Sequence, residues 1–232
     1  LFGFIRFHKL APEIEASPKA RIAYIQPNYV FRDLSAEDVG ATNPQTEDFN
    51  TTLSMSRNTI ESSLKYDGKK PDLLIWPESV APGFILQRNN QLEILKNFVE
   101  ETGVPVLFQA TFIKKNDDLN DPNRYLYWST SRLMTQNGLQ ETIFDKWVPM
   151  PFGEHVPLEE YVPALGNTYR KIFDNASKVE VGTSYQSIPV NEHLRVSPSI
   201  CFDAIKQKLN FLQTTQGQGT LIINHAKIGR AS

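Results

Sequence analysis

Residues 71–79 read PDLLIWPES. Leu73 to Trp76 form an unbroken apolar run with no polar partner in alternation, and Pro77 closes it. A strand with one wet face alternates apolar and polar side chains, whereas a strand covered on both faces does not. A run this short and this apolar is therefore read as a strand buried on both sides, inside a sheet that other layers cover.

The segments around it alternate in type. Upstream, RIAYIQPN (21–28) reads as a strand that stops at Pro27-Asn28, and residues 31–48, with Gly40, Asn43 and Pro44, read as a long polar loop. FNTTLSMSRNTIESSLKY (49–66) places Phe49, Leu53, Ile60 and Leu64 on one helical face. Downstream, Gln91 to Thr102 is an amphipathic helix with Gly103 as its C-terminal cap, and VPVLFQATFI (104–113) is the next strand. NDDLNDPN (116–123) is a turn, and residues 124–135, Asn137-Gly138 and 139–145 read as a β-hairpin. The chain is then irregular to about residue 180, apart from a helix near 167–176. YQSIPV (185–190) and LRVSPSI (194–200) are strands, AIKQKLNFLQTTQ (204–216) is a helix, and GTLIINHA (219–226) is a last strand. Strands alternating with helices predict an α/β domain.

Composition narrows the function classes. The chain has 232 residues, 40% hydrophobic and 22% charged, which is the composition of a folded domain. A formal net charge of −2 gives no electrostatic footprint for nucleic acid. A single cysteine allows neither an internal disulfide nor a cysteine-rich metal site, and the four histidines show no metal-ligand spacing, so no metal and no cofactor are expected. There is no apolar run of membrane-spanning length. The opening LFGFIRFHKL, with aromatic residues next to Arg6, His8 and Lys9, reads either as the interfacial end of a membrane segment or as an ordinary first strand. APEIEASPKA (11–20) reads as a linker.

Three residues carry candidate chemistry. Cys201 follows the strand LRVSPSI and precedes a helix. Positive charge at a helix N-terminus lowers a thiol pKa, which favours the nucleophilic thiolate, although a lone cysteine also serves as a small buried hydrophobe. Glu78 closes the apolar strand beside Trp76, where loss of water raises a carboxyl pKa toward that of a general base, although carboxylates at strand ends are common. Lys146 precedes the loop WVPMPF and would supply a cation to a developing oxyanion, although most lysines are solvated. Glu154 could orient Lys146 through a charge-assisted hydrogen bond, or be a plain loop carboxylate. WVPMPF is unusually apolar for a connection, so Trp147, Val148, Met150 and Phe152 are candidate walls of an apolar substrate pocket, or else they pack inward.

In that order, Glu78, Lys146 and Cys201 resemble the Glu–Lys–Cys triad of the nitrilase superfamily. GFIRF (3–7), RIAYIQPN, LIWPES (74–79) with APG (81–83), DKWVPMPFGEHVPLE (145–159) and SICFD (199–203) resemble more closely the periplasmic domain of bacterial apolipoprotein N-acyltransferases. The resemblance implies an α-β-β-α sandwich, with Glu78 as base, Lys146 near the oxyanion, Cys201 as nucleophile, and Glu154, Phe202 and Asp203 in support. It implies acyl transfer from a phospholipid, through a thioester, to the N-terminal amine of a diacylglyceryl-cysteine lipoprotein at the periplasmic face of a bacterial inner membrane. Residues 1–20 would be a juxtamembrane segment and 21–232 the nitrilase-like domain. The alternatives are an amidase that uses water, or an inactive fragment. The family reads Cys-Tyr-Glu where this chain has Cys201-Phe202-Asp203, and it carries a histidine soon after the lysine where Trp147 and Val148 stand. It reads Asn-Asp-Ala-Trp-Phe-Gly where this chain has Asn224-His225-Ala226-Lys227-Ile228-Gly229, and its domain runs on past that point, so a C-terminally incomplete sandwich is expected.

Overall fold

A computed structural model describes residues 2–28, 44–81, 85–87, 89–117, 125–173 and 178–226. Strand β2 (Leu73–Ile75) lies at its centre and is buried throughout. It pairs in parallel with β1 (Ile22–Tyr24) on one side and β3 (Val106–Lys115) on the other. β3 continues antiparallel to β4 (Tyr125–Thr135), with Ala110 opposite Thr130, and β4 also pairs with β5 (Gly138–Leu139) and β6 (Phe144–Asp145). A second sheet has the order β7-β8-β9: β7 (Ile188–Pro189), β8 (Arg195–Ile200) and β9 (Leu221–His225), the last two parallel.

Side-chain alternation along the strands builds two cores. Leu74, Trp76, Val106, Phe108 and Met134 point to helices α2 (Pro44–Asp67) and α3 (Asn89–Thr102), meeting Phe49, Leu53, Ile60, Leu95, Phe98 and Val99. The α2 contacts recur at helical spacing, and Ser56 on the same stripe accepts the Trp76 indole N–H at 3.0 Å. Leu73, Ile75, Leu107, Leu133 and Phe144 point the other way, onto Ile188, Val196, Ile200 and Ile223 of the second sheet. Helix α5 (Gln207–Thr215) covers that sheet's outer side, where the Gln213 amide donates to the Pro198 carbonyl at 2.7 Å. The layers run α-β-β-α, as expected, and the apolar run at 73–76 is apolar because it faces a helix layer on one side and a sheet on the other.

Several local expectations need correction. Residues 11–20 are not a linker as a whole, because helix α1 (Phe2–Ala16) takes in Pro12 and ends only before Pro18. Ala, Glu and Ile in APEIEA are sound helix formers, and Pro18 disfavours a helical Ser17. The loop expected over 31–48 already becomes helical at Pro44, where a proline in the first turn loses no hydrogen bond and Glu47 favours the N-terminus; residues 31–43 lie outside the described residues. The helix expected near 167–176 is α4 (Pro163–Ile172), again started by a proline. The turn at 116–123 lies mostly outside the described residues. The hairpin forms, with Gly138 at φ +100, but its second arm splits into β5 and β6. The helix expected over 204–216 is a 3-10 turn, Cys201–Ile205, and then α5, broken at Lys206. At the break the Lys206 N–H closes the 3-10 turn on the Asp203 carbonyl at 2.9 Å, and the Asp203 side chain reaches the loop after Lys146.

Candidate active site

Glu78 sits in a tight turn two residues beyond the Trp76 that ends the central apolar run. Ser79 adopts φ +60 in that turn and donates its N–H to Gln109 Oε1 at 2.8 Å. The Gln109 amide in turn donates to Ser129 Oγ at 3.0 Å and to the Ala110 carbonyl at 3.1 Å. The turn that carries Glu78 is thus tied to β3 and β4 rather than left as a free loop.

Lys146 follows β6, and its N–H extends the ladder by donating to the Ser129 carbonyl at 2.9 Å. Its side chain is 1% exposed, and its ammonium meets both oxygens of Glu154, at 2.8 and 2.6 Å. A buried ammonium is tolerated only with such a partner. The Glu154 carboxylate also accepts the Met150 N–H at 2.8 Å, which folds the loop back over the lysine.

Cys201 stands at the end of β8 with φ +52. A left-handed backbone at a residue other than glycine is strained, and a strained strand-to-helix corner is one way a fold holds a nucleophile at a sheet edge. The Asn224 amide donates to the Cys201 carbonyl at 3.4 Å and accepts Ser199 Oγ at 3.1 Å. The charges of Glu78, Lys146 and Glu154 all reach the Cys201 thiol. Burial, first, and then the Glu78 carboxylate push its pKa up; Lys146 pulls it down, and Glu154 adds to the rise. The lowered thiol pKa expected from a helix N-terminus is therefore not found. The helix that follows is a 3-10 turn of five residues with little dipole, and two carboxylates oppose one ammonium. The arrangement suits a protonated thiol whose proton leaves to a neighbouring base at the moment of attack.

Asp203 joins the two halves of this arrangement. Its Oδ1 accepts the N–H of Trp147 at 2.9 Å and of Val148 at 2.6 Å, and its Oδ2 accepts the Ile200 N–H at 3.1 Å. The loop after Lys146 and the corner bearing Cys201 are thereby held by one carboxylate. Burial pushes the Asp203 pKa up to about 6 in spite of those three donors. Phe202 beside it is half-buried.

The apolar loop divides. Trp147 turns inward onto the inter-sheet core, and its indole N–H donates to the Ser184 carbonyl at 2.7 Å. Val148 is half-buried, Met150 is exposed, and Phe152 is 55% exposed with its ring 5.7 Å from Tyr169 of α4. Gln109 and Asn224 were not anticipated; the signal for each was a lone amide within an apolar strand. A cavity of about 520 Å³ lies at the opposite ends of the strands, beside Lys19, Asp72, His193 and Thr220, away from Cys201. Among the described residues, no cluster of His, Cys, Asp and Glu side chains is placed to hold a metal ion.

The fold is shared with solved structures. A carbon-nitrogen hydrolase from Helicobacter pylori G27 superposes with a TM-score of 0.56 at 10% identity, covering 92% of this chain and 62% of that one. The NitN amidase from Nesterenkonia sp. AN1 gives 0.54 at 13% identity over 90% of this chain and 67% of the amidase. Saccharomyces cerevisiae Nit3, a member of the nitrilase superfamily, gives 0.53 at 12% identity over 91% of this chain and 67% of Nit3.

The chain has the nitrilase fold.

Within that fold, its curated sequence relatives are apolipoprotein N-acyltransferases, as the resemblance of PFGEHVPLE and its companion segments implies. The Brucella suis enzyme is 26% identical over 140 residues, 60% of this chain and 25% of that protein. The Rickettsia typhi enzyme is 24% identical over 196 residues, 84% of this chain and 37% of that protein. The chain thus spans between a quarter and two fifths of the length of these relatives. No family model matches it.

Proposed function

We propose that this chain carries the acyl-transferring site of an N-acyltransferase with a nitrilase fold. The observation that carries the reading is the strained corner at Cys201, where the charges of Glu78, Lys146 and Glu154 converge on the one thiol of the chain. In the first half-reaction Glu78 takes the thiol proton while the sulfur adds to the sn-1 ester carbonyl of a phospholipid. Lys146, with Glu154 holding its ammonium, stabilises the charge on the carbonyl oxygen. The C–O bond breaks, the proton passes from Glu78 to the departing lysophospholipid oxygen, and the acyl group remains on sulfur. In the second half-reaction the free amine of a diacylglyceryl-cysteine lipoprotein adds to the thioester. An N–C bond forms, the C–S bond breaks, and the amine proton returns through Glu78 to the sulfur.

Two apolar surfaces support a lipid rather than a small amide as substrate. On α1, Phe7, Leu10 and Ile14 form an exposed stripe at helical spacing. Near the Lys146 loop, Met150, Phe152, Leu158, Tyr161, Leu165 and Phe173 are all exposed. Exposed apolar side chains in such number mark an interaction surface. No helix among the described residues is long and apolar enough to cross a membrane, and the exposed apolar stripe of α1 is of the kind that lies along a membrane surface. In this reading residues 1–20 lie against the periplasmic face of a bacterial inner membrane and 21–232 form the acyl-transferring domain.

The test uses vesicles whose phospholipid carries an alkyne-tagged sn-1 chain. The expected result is a hydroxylamine-labile label on the wild-type protein, absent from Cys201→Ala, that moves to the amine of an added diacylglyceryl-cysteine peptide. Ammonia release from small amides without lipid labelling would point to an amidase. Neither activity, with the protein folded, would sink the reading.

A further inference from the structure

His225, the last residue of β9, is buried to 0% exposure. Its Nδ1 lies 2.8 Å from the Trp76 carbonyl oxygen, and its Nε2 lies 2.9 Å from Ser131 Oγ. A carbonyl can only accept, so Nδ1 carries the proton and Nε2 accepts from the serine hydroxyl. Both ring nitrogens of a neutral imidazole are thereby satisfied, and burial, lowering the ring pKa to about 4, keeps it neutral.

The places these contacts reach are what single the residue out. Trp76 is two positions before Glu78. Ser131 pairs with Phe144 between β4 and β6, two positions before Lys146. His225 itself pairs with Ile200 between β8 and β9, one position before Cys201. Its side chain therefore crosses from the second sheet to the first to meet Trp76 and Ser131 while its backbone pairs beside Ile200, so it lies within one strand pairing of the approach to each of the three residues.

We infer that His225 is a positioning residue: its neutral imidazole sets the spacing of Glu78 and Lys146 from Cys201 across the two sheets. The inference rests on reading those three as the reacting groups. Its weight comes from geometry, since a misplacement of about 1 Å can cost roughly 10²-fold in rate.

The test compares His225→Asn, which can keep the donor to Trp76, with His225→Gln, which can reach Ser131 but not Trp76. Each loses one buried hydrogen bond, so similar stabilities are expected from both. Iodoacetamide alkylation of Cys201 as a function of pH reads the field of Glu78 and Lys146, and thioester formation from tagged phospholipid reads the chemistry; thermal melts are recorded in parallel. In wild-type background, Glu78→Gln should lower the alkylation midpoint and Lys146→Met should raise it. His225→Gln, which releases Trp76, should move the midpoint toward that of Glu78→Gln and slow acylation about 10²-fold, while His225→Asn, which releases Ser131, should move the midpoint the other way, toward that of Lys146→Met. If the Glu78 and Lys146 variants leave the midpoint unmoved, the reading of the site itself is wrong. If they move it, yet the Asn and Gln variants at His225 match each other in midpoint and acylation rate, the residue is structural only and the inference is overturned.

Discussion

Replacing Asp203 by Asn removes a buried negative charge while nearly keeping its shape. The carboxylate holds three backbone donors, yet burial lifts its pKa from the ordinary 3.8 to about 6. A carboxyl whose pKa is raised on folding contributes stability that is fully present below the unfolded value and is lost as pH rises through the folded one. At about 1.4 kcal/mol per pH unit, ionisation at pH 7 costs the fold about 3 kcal/mol relative to the protonated state. Asn carries no such cost. With its oxygen toward Trp147 and Val148, it leaves the Ile200 N–H facing an amide N–H, a loss of about 1–3 kcal/mol. The two effects nearly cancel at pH 7, so Asp203→Asn should then lie within about 2 kcal/mol of wild type. Urea unfolding of both proteins from pH 4 to pH 7.5 is the assay. Their stability difference should shift by about 2–3 kcal/mol in favour of the variant as pH rises, with most of the change before pH 6. Asp203→Ala, which orphans all three donors, should lie below Asn throughout. A difference that is flat with pH, or that moves against the variant as pH rises, would falsify the argument; it would show that the three N–H groups balance burial in the first case and outweigh it in the second.

The Cys201 thiol should titrate above a free cysteine, because burial and Glu78 together outweigh Lys146; an alkylation midpoint below the free-thiol value would contradict that field. Trp147→Ser empties part of the inter-sheet core and should cost about 3 kcal/mol in chemical denaturation, whereas Phe152→Ser, at an exposed site, should change stability by less than about 0.5 kcal/mol and instead weaken vesicle binding. Equal stability losses from the two would mean that the loop is wholly structural. Gln109→Leu strands the Ser79 N–H beside Glu78 and should cost about 1–3 kcal/mol, with slower thioester formation at unchanged lipid affinity. A variant that acylates at the wild-type rate would show that the turn holds Glu78 without Gln109.

The one-dimensional pattern determined a good deal here. An unbroken apolar run at Leu73–Trp76 requires cover on both faces, and alternating strands and helices require an α/β layering, because those demands are local and follow from burial alone. The residue types at Glu78, Lys146 and Cys201, with PFGEHVPLE between them, were enough to point to the family that the curated relatives share. The helix starts at Pro44 and Pro163 precede the expected bounds, since PQTED at 44–48 is as polar as a loop and PALG at 163–166 combines two residues that usually break helices. What only the tertiary structure decided depends on partners far apart in the chain. The His225 ring meets a carbonyl 149 residues away and a hydroxyl 94 residues away, and Asp203 turns toward amides 55 and 56 residues before it. The Cys201 thiol takes its raised pKa from burial and from the sum of charges that two separate loops, after β2 and after β6, bring to it. Fields and hydrogen bonds act through space, and the distances they depend on are set by how the two sheets stack, which no single segment of the chain encodes.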